Sequence, residues 1–379
     1  MKTTELLEIK LSGTPRERGR IHGEAAKVLI TDVVSHWRMN LSNFGQNSEA
    51  ATHIDPDVYL SEFLLQTNYL NAIEKFAPGL LEEVRGIAEG SGQAFEDILG
   101  LQLMDEEWIF GLRRKLAKPT TKCTGFGVPD QANGVSYAGQ NMDVSSWVEG
   151  SQVLLRVMPT ETSPEALIFS IAGIIGLNGL NASGLGISCN TLAQLNYSID
   201  GLPVAFVVRA ILEKKSIDEA EQFLRTIIHA SGQNYILSIA GDMRCFECGG
   251  TGVVRYAPDK YQGRVFHTNH PFVNKDESEI AELTRGRLHN TEARLTSICD
   301  RLGDTSQPLT LDCIKSALSA HDDPANPVSR PIDPDNGGNS IAYTAGASIY
   351  ELAATPRLHF AAGPPCETEF RVFEFSASV

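Results

Sequence analysis

The chain has 379 residues, of which 42% are hydrophobic and 21% are charged, as is ordinary for a globular protein. Its 47 acidic and 32 basic residues give a formal net charge of −15, which argues against a nucleic-acid groove, because such a groove needs a concentrated basic surface. No apolar stretch approaches the length of a membrane span, and the start of the chain lacks the apolar run of a signal peptide.

The first third of the chain is predicted to be helical after one short strand in Leu6–Leu11. A helix is expected to start within Thr14–Glu17, because Thr can cap it, Pro suits its first position and Glu completes a capping box. Gly19 and Gly23 follow, four residues apart on one face of this helix. Since glycine lowers helix propensity, we expect another backbone to approach closely at that face.

Apolar residues at helical spacing continue along three further segments: Tyr59–Phe76, Leu80–Ala88 and Phe95–Phe110. Pro78-Gly79 separates the first two segments, and Gly90 is expected to end the second. The basic and polar residues 113–121 that follow have the composition of an exposed linker.

From Cys123 onward the pattern is mostly that of strands, with Asn133-Gly134 as a predicted hairpin turn. Further strands are expected at Gln152–Met158, Ala166–Ile171, a glycine-rich pair within Ile174–Leu192, Tyr235–Ala240, Val253–Tyr256, Val265–Thr268, Ser340–Thr344, Ser348–Leu352 and Leu358–Ala361. Helices are expected at Leu202–Glu213, Ile217–Ala230, Glu277–Arg301 and Leu311–His321. Because strands and helices come in blocks, the order favours an α+β fold of stacked sheets covered by helices over a doubly wound parallel sheet.

The seven cysteines are odd in number and scattered, which fits reduced thiols in the cytoplasm better than a disulfide framework. Cys245 and Cys248 form one CxxC pair without the second pair that a zinc site needs, so we interpret them as structural. His267 and His270 have no acidic partner at helical spacing. The sequence therefore indicates neither a metal nor an organic cofactor.

Cys123 is the candidate nucleophile, because it lies where the helical pattern gives way to a strand pattern. A Cys-His-Asn thiol hydrolase could pair it with His267 and Asn269 downstream, although Thr124–Val128 has the pattern of a strand rather than of a helix. An N-terminal nucleophile requires instead that the Lys122–Cys123 bond be cut. The freed α-amine, with an ordinary pKa of about 8, would then serve as the general base for the thiol of the same residue.

Several segments follow one another in a characteristic order: Gly13–Gly23, Cys123-Thr124, Gly139–Asp143, Gly176–Gly184, Thr268–His270, Ser348–Leu352 and Gly363–Cys366. Together they resemble the isopenicillin N acyltransferase family of self-processing N-terminal-nucleophile enzymes. Two positions depart from the family pattern, since Met142 replaces the usual Trp and Lys122 replaces a common Gly. A glycine before the scissile bond relieves strain there, so processing at Lys122 is expected to be slow or conditional.

The resemblance implies a four-layer αββα sandwich, the N-terminal-nucleophile hydrolase fold. It implies that the chain cuts itself into a helix-rich small subunit, residues 1–122, and a strand-rich large subunit, residues 123–379. Both fragments would stay together as a heterodimer in one structural unit. The alternative within the same relationship is an uncleaved, non-catalytic binding protein.

The resemblance also implies the roles of individual residues. Cys123 would attack a small-molecule amide or acyl donor through its thiol, Asp143 would orient its freed amine, and Asn269 would hold the oxyanion. Arg330 and Thr124 would bind substrate or organise the site. Water as the acceptor makes the enzyme an amidase, and an amine makes it an acyltransferase. The expected partners are the substrate and the chain's own fragments, with a homo-oligomer left open and neither nucleic acid nor membrane involved.

Overall fold

The computed structural model describes residues 6–44, 54–117, 123–129, 134–286, 288–306, 308–332 and 342–376. Lys122, on one side of the predicted cleavage point, and Asn133, in the predicted hairpin turn, lie outside the described residues. Within the described ranges, no helix has both the length and the apolar character needed to cross a membrane.

The N-terminal segment consists of one strand followed by helices. Their bounds are β1 (Leu7–Leu11), α1 (Pro15–Ala25), α2 (Lys27–Phe44), α3 (Pro56–Leu65), α4 (Tyr69–Phe76), α5 (Pro78–Ser91), α6 (Phe95–Gln102) and α7 (Met104–Arg113). The predicted start of α1 is confirmed, because Thr14 Oγ1 accepts from the Glu17 amide and the Glu17 carboxylate accepts from the Thr14 amide. Two of the predicted helical segments are each divided into two helices, α3 with α4 and α6 with α7.

Glycines bring α1 and α5 into backbone contact, as the sequence predicts for α1. A Cβ atom on Gly19 would lie 1.9 Å from the carbonyl oxygen of Glu83, and one on Gly86 would lie 2.2 Å from that of Arg16. Any larger residue at these positions would force the two helices apart.

The prediction that Gly90 ends α5 was wrong. The helix continues through Gly90 to Ser91 and is capped by Gly92, which has a left-handed backbone with φ of 73°. Gly90 belongs to the helix contact instead, since a Cβ there would lie 2.3 Å from the carbonyl oxygen of Arg20. A glycine in a helix sequence can serve either purpose, and only the neighbouring helix decides which.

The remainder of the described chain supplies most of the strands and the other helices. The strands are β2 (Thr124–Val128), β3 (Ser136–Ser145), β4 (Gln152–Val157), β5 (Ala166–Ile171), β6 (Asn178–Asn181), β7 (Gly186–Thr191), β8 (Gln233–Ile239), β9 (Asp242–Gly249), β10 (Gly252–Tyr256), β11 (Val265–His267), β12 (Ala342–Leu352), β13 (Arg357–Ala361) and β14 (Arg371–Glu374). The helices are α8 (Val204–Leu212), α9 (Ile217–Thr226), α10 (Ala281–Arg285), α11 (Leu288–Leu302) and α12 (Leu311–Leu318).

Within the described ranges these strands form two sheets that pack face to face. The larger sheet has the order β1-β4-β5-β6-β7-β8-β9-β10, and the smaller has the order β11-β2-β3-β12-β13-β14. Phe169 of the larger sheet meets Phe360 of the smaller, with ring centroids 4.7 Å apart. Helices α8 and α9 cover the outer face of the larger sheet, and α11 and α12 cover that of the smaller. The predicted α+β, four-layer αββα architecture is therefore confirmed.

In the tail of the chain, one long strand replaces two predicted ones, and β14 was not predicted. The two strands predicted on either side of residue 346 are one strand, β12, which pairs with β3 along its whole length. The register shifts between Thr344 and Gly346, and a Cβ on Gly346 would lie 2.8 Å from the ring of Phe360. A bulge at this glycine lets the strand continue where its sequence pattern breaks off.

Candidate active site

Cys123 lies immediately before β2, in the interior of the smaller sheet. It is 3% exposed, and its Sγ lies 3.4 Å from Met142 Sδ and 3.7 Å from the carbonyl oxygen of Asp143 on the neighbouring strand β3. Glycines let β2 lie close to the larger sheet, since a Cβ on Gly125 would be 2.9 Å from Asn190 Oδ1. The border between the helical and the strand pattern at Cys123 thus corresponds to the start of β2.

The thiol of Cys123 lines a narrow cavity of about 50 Å³. Most of the lining is apolar and comes from α6, α7, α8 and the loop before β6: Leu101, Met104, Ile174, Leu177, Val204 and Val208. Met142 lines this space together with Met104, and methionine side chains adapt to different occupants. The cavity therefore suits a small apolar group next to the thiol.

Asp143 is buried on β3, and its carboxylate is held by a threonine hydroxyl. Thr344, directly opposite on β12, donates from Oγ1 to Asp143 Oδ1 at 2.7 Å. The same hydroxyl accepts from the backbone amide of Arg330 at 2.9 Å, and the Thr344 amide donates to the Arg330 carbonyl at 2.9 Å. Thr344 thereby joins two of the residues predicted for the site, although it is not itself predicted.

Asn269 follows β11 and reaches the end of β7. Its Nδ2 donates to the carbonyl oxygen of Thr191 at 3.0 Å, and its backbone amide donates to Thr291 Oγ1 at 2.8 Å. The side-chain amide therefore lies beside Thr191, which lines the same cavity as Cys123.

Arg294, on α11, connects the predicted residues to one another. This fully buried guanidinium donates to the Cys123 carbonyl at 2.6 Å, to Thr124 Oγ1 at 2.9 Å and to Asn269 Oδ1 at 2.9 Å. Burial lowers its pKa to about 10, while the nearby carboxylate of Asp143 acts in the opposite direction. Arg294 is therefore charged at neutral pH and holds the strand that follows Cys123 against the loop of Asn269.

Sequence reasoning missed Arg294, because a single arginine in an amphipathic helix has the same pattern as a solvated one. It also missed Thr344, because a threonine in a strand is favoured by strand propensity alone. Neither position lies in the predicted capping box of α1 or in one of the ordered motifs. Only the packing of α11 and β12 around β2 and β3 places these two side chains at the site.

A buried contact between the Glu247 carboxylate and the His267 imidazole holds the loop that carries Asn269. Glu247 accepts from His267 Nε2 at 3.0 Å and from three backbone amides of residues 272–274 at 2.6 to 3.0 Å. Burial raises the pKa of Glu247, but these hydrogen bonds and the charge of His267 outweigh it, so the pKa lies below its ordinary value. Since His267 Nδ1 faces the Thr268 carbonyl at 2.8 Å, both ring nitrogens face acceptors.

The two histidines of this loop make their hydrogen bonds in the described part of the chain to groups other than the Cys123 thiol. The ring nitrogens of His267 are taken by Glu247 and Thr268, and His270 Nδ1 contacts Thr291 Oγ1 at 3.0 Å. The Cys-His-Asn arrangement considered from the sequence stays a prediction.

The CxxC pair interpreted as structural, Cys245 and Cys248, lies buried on β9 of the larger sheet. All seven cysteines are free, and burial raises the pKa of both Cys245 and Cys248 well above its ordinary value. Cys245 Sγ donates to Asn234 Oδ1 at 2.9 Å inside the sandwich. Among the described residues, no three or more His, Cys, Asp or Glu side chains come together as a metal site would require.

Comparison with known proteins fixes the family. The model of the acyl-coenzyme A:6-aminopenicillanic acid acyl-transferase family matches residues 130–357, which is more than half of the chain. The chain belongs to this family. The matched range contains Asp143, Asn269, Arg294 and Arg330, and it begins shortly after Cys123. The family relationship predicted from the ordered motifs is thus confirmed.

One relative of known name is the 40 kDa form of acyl-coenzyme A:6-aminopenicillanic-acid-acyltransferase from Emericella nidulans. It is 25% identical over 274 residues, which cover 72% of this chain and 71% of the relative. Among solved structures, penicillin V acylase from Agrobacterium tumefaciens is 17% identical with a TM-score of 0.42, over 67% of this chain and 86% of that one. A variant of conjugated bile acid hydrolase from Clostridium perfringens is 12% identical with a TM-score of 0.41, over 68% of this chain and 98% of that one. The family assignment rests on the family model.

Proposed function

We propose that this acyltransferase-family protein is a self-cleaving N-terminal-cysteine amide hydrolase or acyltransferase. The observation that carries the proposal is the placement of the Cys123 thiol on an apolar cavity, with Asp143 on the next strand and Asn269 tied to Cys123 through Arg294. Amide bonds of small acylated amines or peptides are the substrates we expect.

Maturation begins at the bond before Cys123. The thiol adds to the carbonyl carbon of Lys122, the C–N bond breaks, and the thiol proton passes to the departing nitrogen. The product is a thioester between residue 122 and Cys123 Sγ, together with a free α-amine on Cys123. Water then hydrolyses the thioester, which restores the thiol and leaves a carboxylate on residue 122.

In the matured enzyme the free amine of Cys123 accepts the thiol proton, and the thiolate attacks the substrate amide. The protonated amine then gives this proton to the leaving amine, and a thioester acyl-enzyme remains. Attack by water completes a hydrolysis, and attack by a second amine completes an acyl transfer. Asp143, held by Thr344, is the carboxylate that would orient the protonated amine.

The oxyanion of each tetrahedral intermediate would be held by Asn269. Because Arg294 binds Oδ1 of this side chain, the amide has its Nδ2 donor on the side of Thr191 and the cavity. One donor of this kind is worth about 3 kcal/mol of transition-state stabilisation. Arg330 would act at the same site through its backbone contacts with Thr344.

The two fragments, residues 1–122 and 123–379, would remain associated as a heterodimer. Glu83 of α5 is fully buried and accepts from Arg18 of α1 at 3.1 Å and from Arg209 of α8 at 3.0 Å. This ion network crosses from the small fragment to the large one, and separating them would leave its charges unpaired. A cytoplasmic location, where the free cysteines would stay reduced, completes the proposal.

Mass spectrometry of the purified protein tests the proposal. The wild-type chain should yield two fragments that start at Met1 and Cys123, while Cys123→Ala should remain intact and should not hydrolyse amides. Cys313→Ala, which removes an exposed cysteine, is the matched control and should be cut like the wild type. A wild-type chain that stays whole yet hydrolyses amides would refute the N-terminal-nucleophile mechanism. A whole chain without amidase activity would favour the non-catalytic binding protein.

A further inference from the structure

The charged side chains that line the cavity of Cys123 are carboxylates. Asp143 lies on the β3 side, and Asp105 of α7 lies on the side of the helical segment. Within the described part of the chain, neither lysine nor arginine lines this cavity. Since the other lining side chains are mainly apolar, a negative charge on the substrate would be repelled here, and a positive charge would find a partner.

Two hydrogen bonds converge on one carboxylate oxygen of Asp105, a residue that lines the cavity. Thr191 Oγ1 donates to Asp105 Oδ2 at 2.7 Å, and Gln233 Nε2 donates to the same oxygen at 2.8 Å. These two hydrogen bonds fix the carboxylate in a half-buried position at the cavity wall. A carboxylate held in this way is preorganised to accept from a cation.

Thr191 joins this carboxylate to the proposed oxyanion donor. Its hydroxyl binds Asp105, while its carbonyl oxygen accepts from Asn269 Nδ2. A group bound by Asp105 therefore lies next to the place where the reacting carbonyl oxygen would sit. The ammonium ion of a short substrate could reach Asp105 while its amide bond lies at Cys123.

We propose that Asp105 selects substrates in which an ammonium group is carried on a short apolar frame beside the scissile amide bond. The inference rests on the proposed amidase or acyltransferase function and adds its substrate class. The ammonium ion would form a charge-assisted hydrogen bond with the carboxylate, and the apolar frame would pack against side chains such as Val204 and Val208. Substrates with a carboxylate in the same place would be rejected.

Matched amides test this selectivity. The first series comprises the p-nitroanilides of 4-aminobutanoic acid, butanoic acid and succinic acid, which place an ammonium, a methyl or a carboxylate group at the end of the acyl chain. The second comprises the butanamides of 1,3-diaminopropane, propylamine and β-alanine, which place the same groups on the amine side. In one of the series, the matured wild type should show kcat/KM about 10-fold or more higher for the ammonium compound than for the neutral one. The carboxylate compound should be the poorest substrate.

Variants separate selection by Asp105 from a merely structural role. Asp105→Asn should bring the ammonium-to-neutral ratio of kcat/KM to within about 2-fold of one, because the charge is lost and the shape is kept. Glu106→Gln on the same helix is the matched control and should keep the wild-type ratio. Burial and the charge of Asp105 raise the pKa of Glu106 to about 7, so its negative charge is already reduced near neutral pH.

Two results would overturn the inference while leaving the proposed function intact. One is equal or better turnover of the neutral amide in both series, and the other is an Asp105→Asn variant that loses all substrates alike. If no amide is turned over, the proposed function fails. Ligand binding then tests separately whether Asp105 selects an ammonium group. Butylammonium should then raise the thermal unfolding midpoint of the wild type more than 1-butanol or butanoate does, and this difference should vanish in Asp105→Asn. Equal shifts by all three compounds would overturn it.

Discussion

Two side chains that were not predicted for the site hold the groups around Cys123 in place. Arg294 fixes the carbonyl of Cys123 and the amide of Asn269, and Thr344 fixes the carboxylate of Asp143. Both are fully buried, so their hydrogen bonds are made away from competing water. The residues predicted for the site are therefore held by two neighbours that belong to none of the sequence motifs.

Thr344→Val tests how strongly the Asp143 carboxylate depends on its hydroxyl donor. The substitution keeps the shape of the side chain but leaves a buried carboxylate oxygen without this bond, which should cost about 1–3 kcal/mol of folding stability. It should also lower kcat about 10-fold or more, with little change in KM, because the amine of Cys123 would be less well oriented.

Thr344→Ser, which retains the hydroxyl, is the matched control for this prediction and should restore most of kcat. Chemical denaturation and steady-state kinetics measure the two effects separately. A Thr344→Val variant with normal kcat would show that Asp143 needs no help from this residue.

The sequence could name Cys123, Asp143 and Asn269 as candidates, because each belongs to a motif and the motifs have a recognisable order. It could not supply Arg294 or Thr344, since the environment of each is created by an element distant in the chain. Arg294 lies 171 residues from Cys123, and Thr344 lies 201 residues from Asp143.

At the scale of elements, the contact between α1 and α5 depends on the absence of side chains. A Cβ on Gly19 would approach the Glu83 carbonyl oxygen to 1.9 Å, closer than atoms in a folded protein allow. The contact holds Arg18 and Glu83 in the ion network that reaches Arg209. Close packing of these helices therefore supports the association of the two proposed fragments.

Gly19→Ala should destabilise the fold, because backbone atoms must move to admit the methyl group. We expect a loss of about 1–3 kcal/mol in the free energy of unfolding, measured by urea or thermal denaturation. Gly79→Ala in α5 is the matched control, since its Cβ would meet only the ring of Pro15 at an ordinary 3.5 Å. This control should be neutral or stabilising by up to about 1 kcal/mol. Equal stability of both variants would contradict the proposed backbone contact.

At the scale of the whole molecule, buried titratable groups make the free energy of unfolding depend on pH. His22 of α1 is fully buried and accepts from the Gly173 amide at 3.1 Å, and burial, followed by the charge of Arg209, lowers its pKa to about 3. Burial likewise lowers the pKa of His229 to about 4. For Glu106, burial has the opposite consequence, because it raises the pKa of a carboxyl group to about 7.

The directions of these pKa shifts determine whether the stability rises or falls with pH. Each of the two histidines contributes stability that is present above the ordinary histidine pKa of about 6.5 and is lost as the pH falls, because the unfolded chain then takes up the proton. Glu106 contributes stability that is present below its ordinary pKa and is lost as the pH rises through about 7.

His22→Gln isolates one of these contributions. Between pH 7 and pH 5, the wild type should lose about 2 kcal/mol more of its free energy of unfolding than His22→Gln does, because glutamine does not titrate. Its side-chain oxygen can still accept from the Gly173 amide. Urea denaturation at both pH values measures the difference, and equal losses in the two proteins would contradict the burial of a neutral His22.

The sequence alone determined the fold class, the family relationship and the candidate nucleophile, because block order, capping residues and ordered motifs are local properties of the chain. It placed the start of α1 correctly but misassigned Gly90, whose role depends on the backbone of another helix. Tertiary structure decided which side chains surround Cys123, since Arg294 and Asp105 reach the site from separate helices. It also decided the charge of the cavity. That charge depends on which side chains face a shared space, whereas the overall composition counts every charge on the chain.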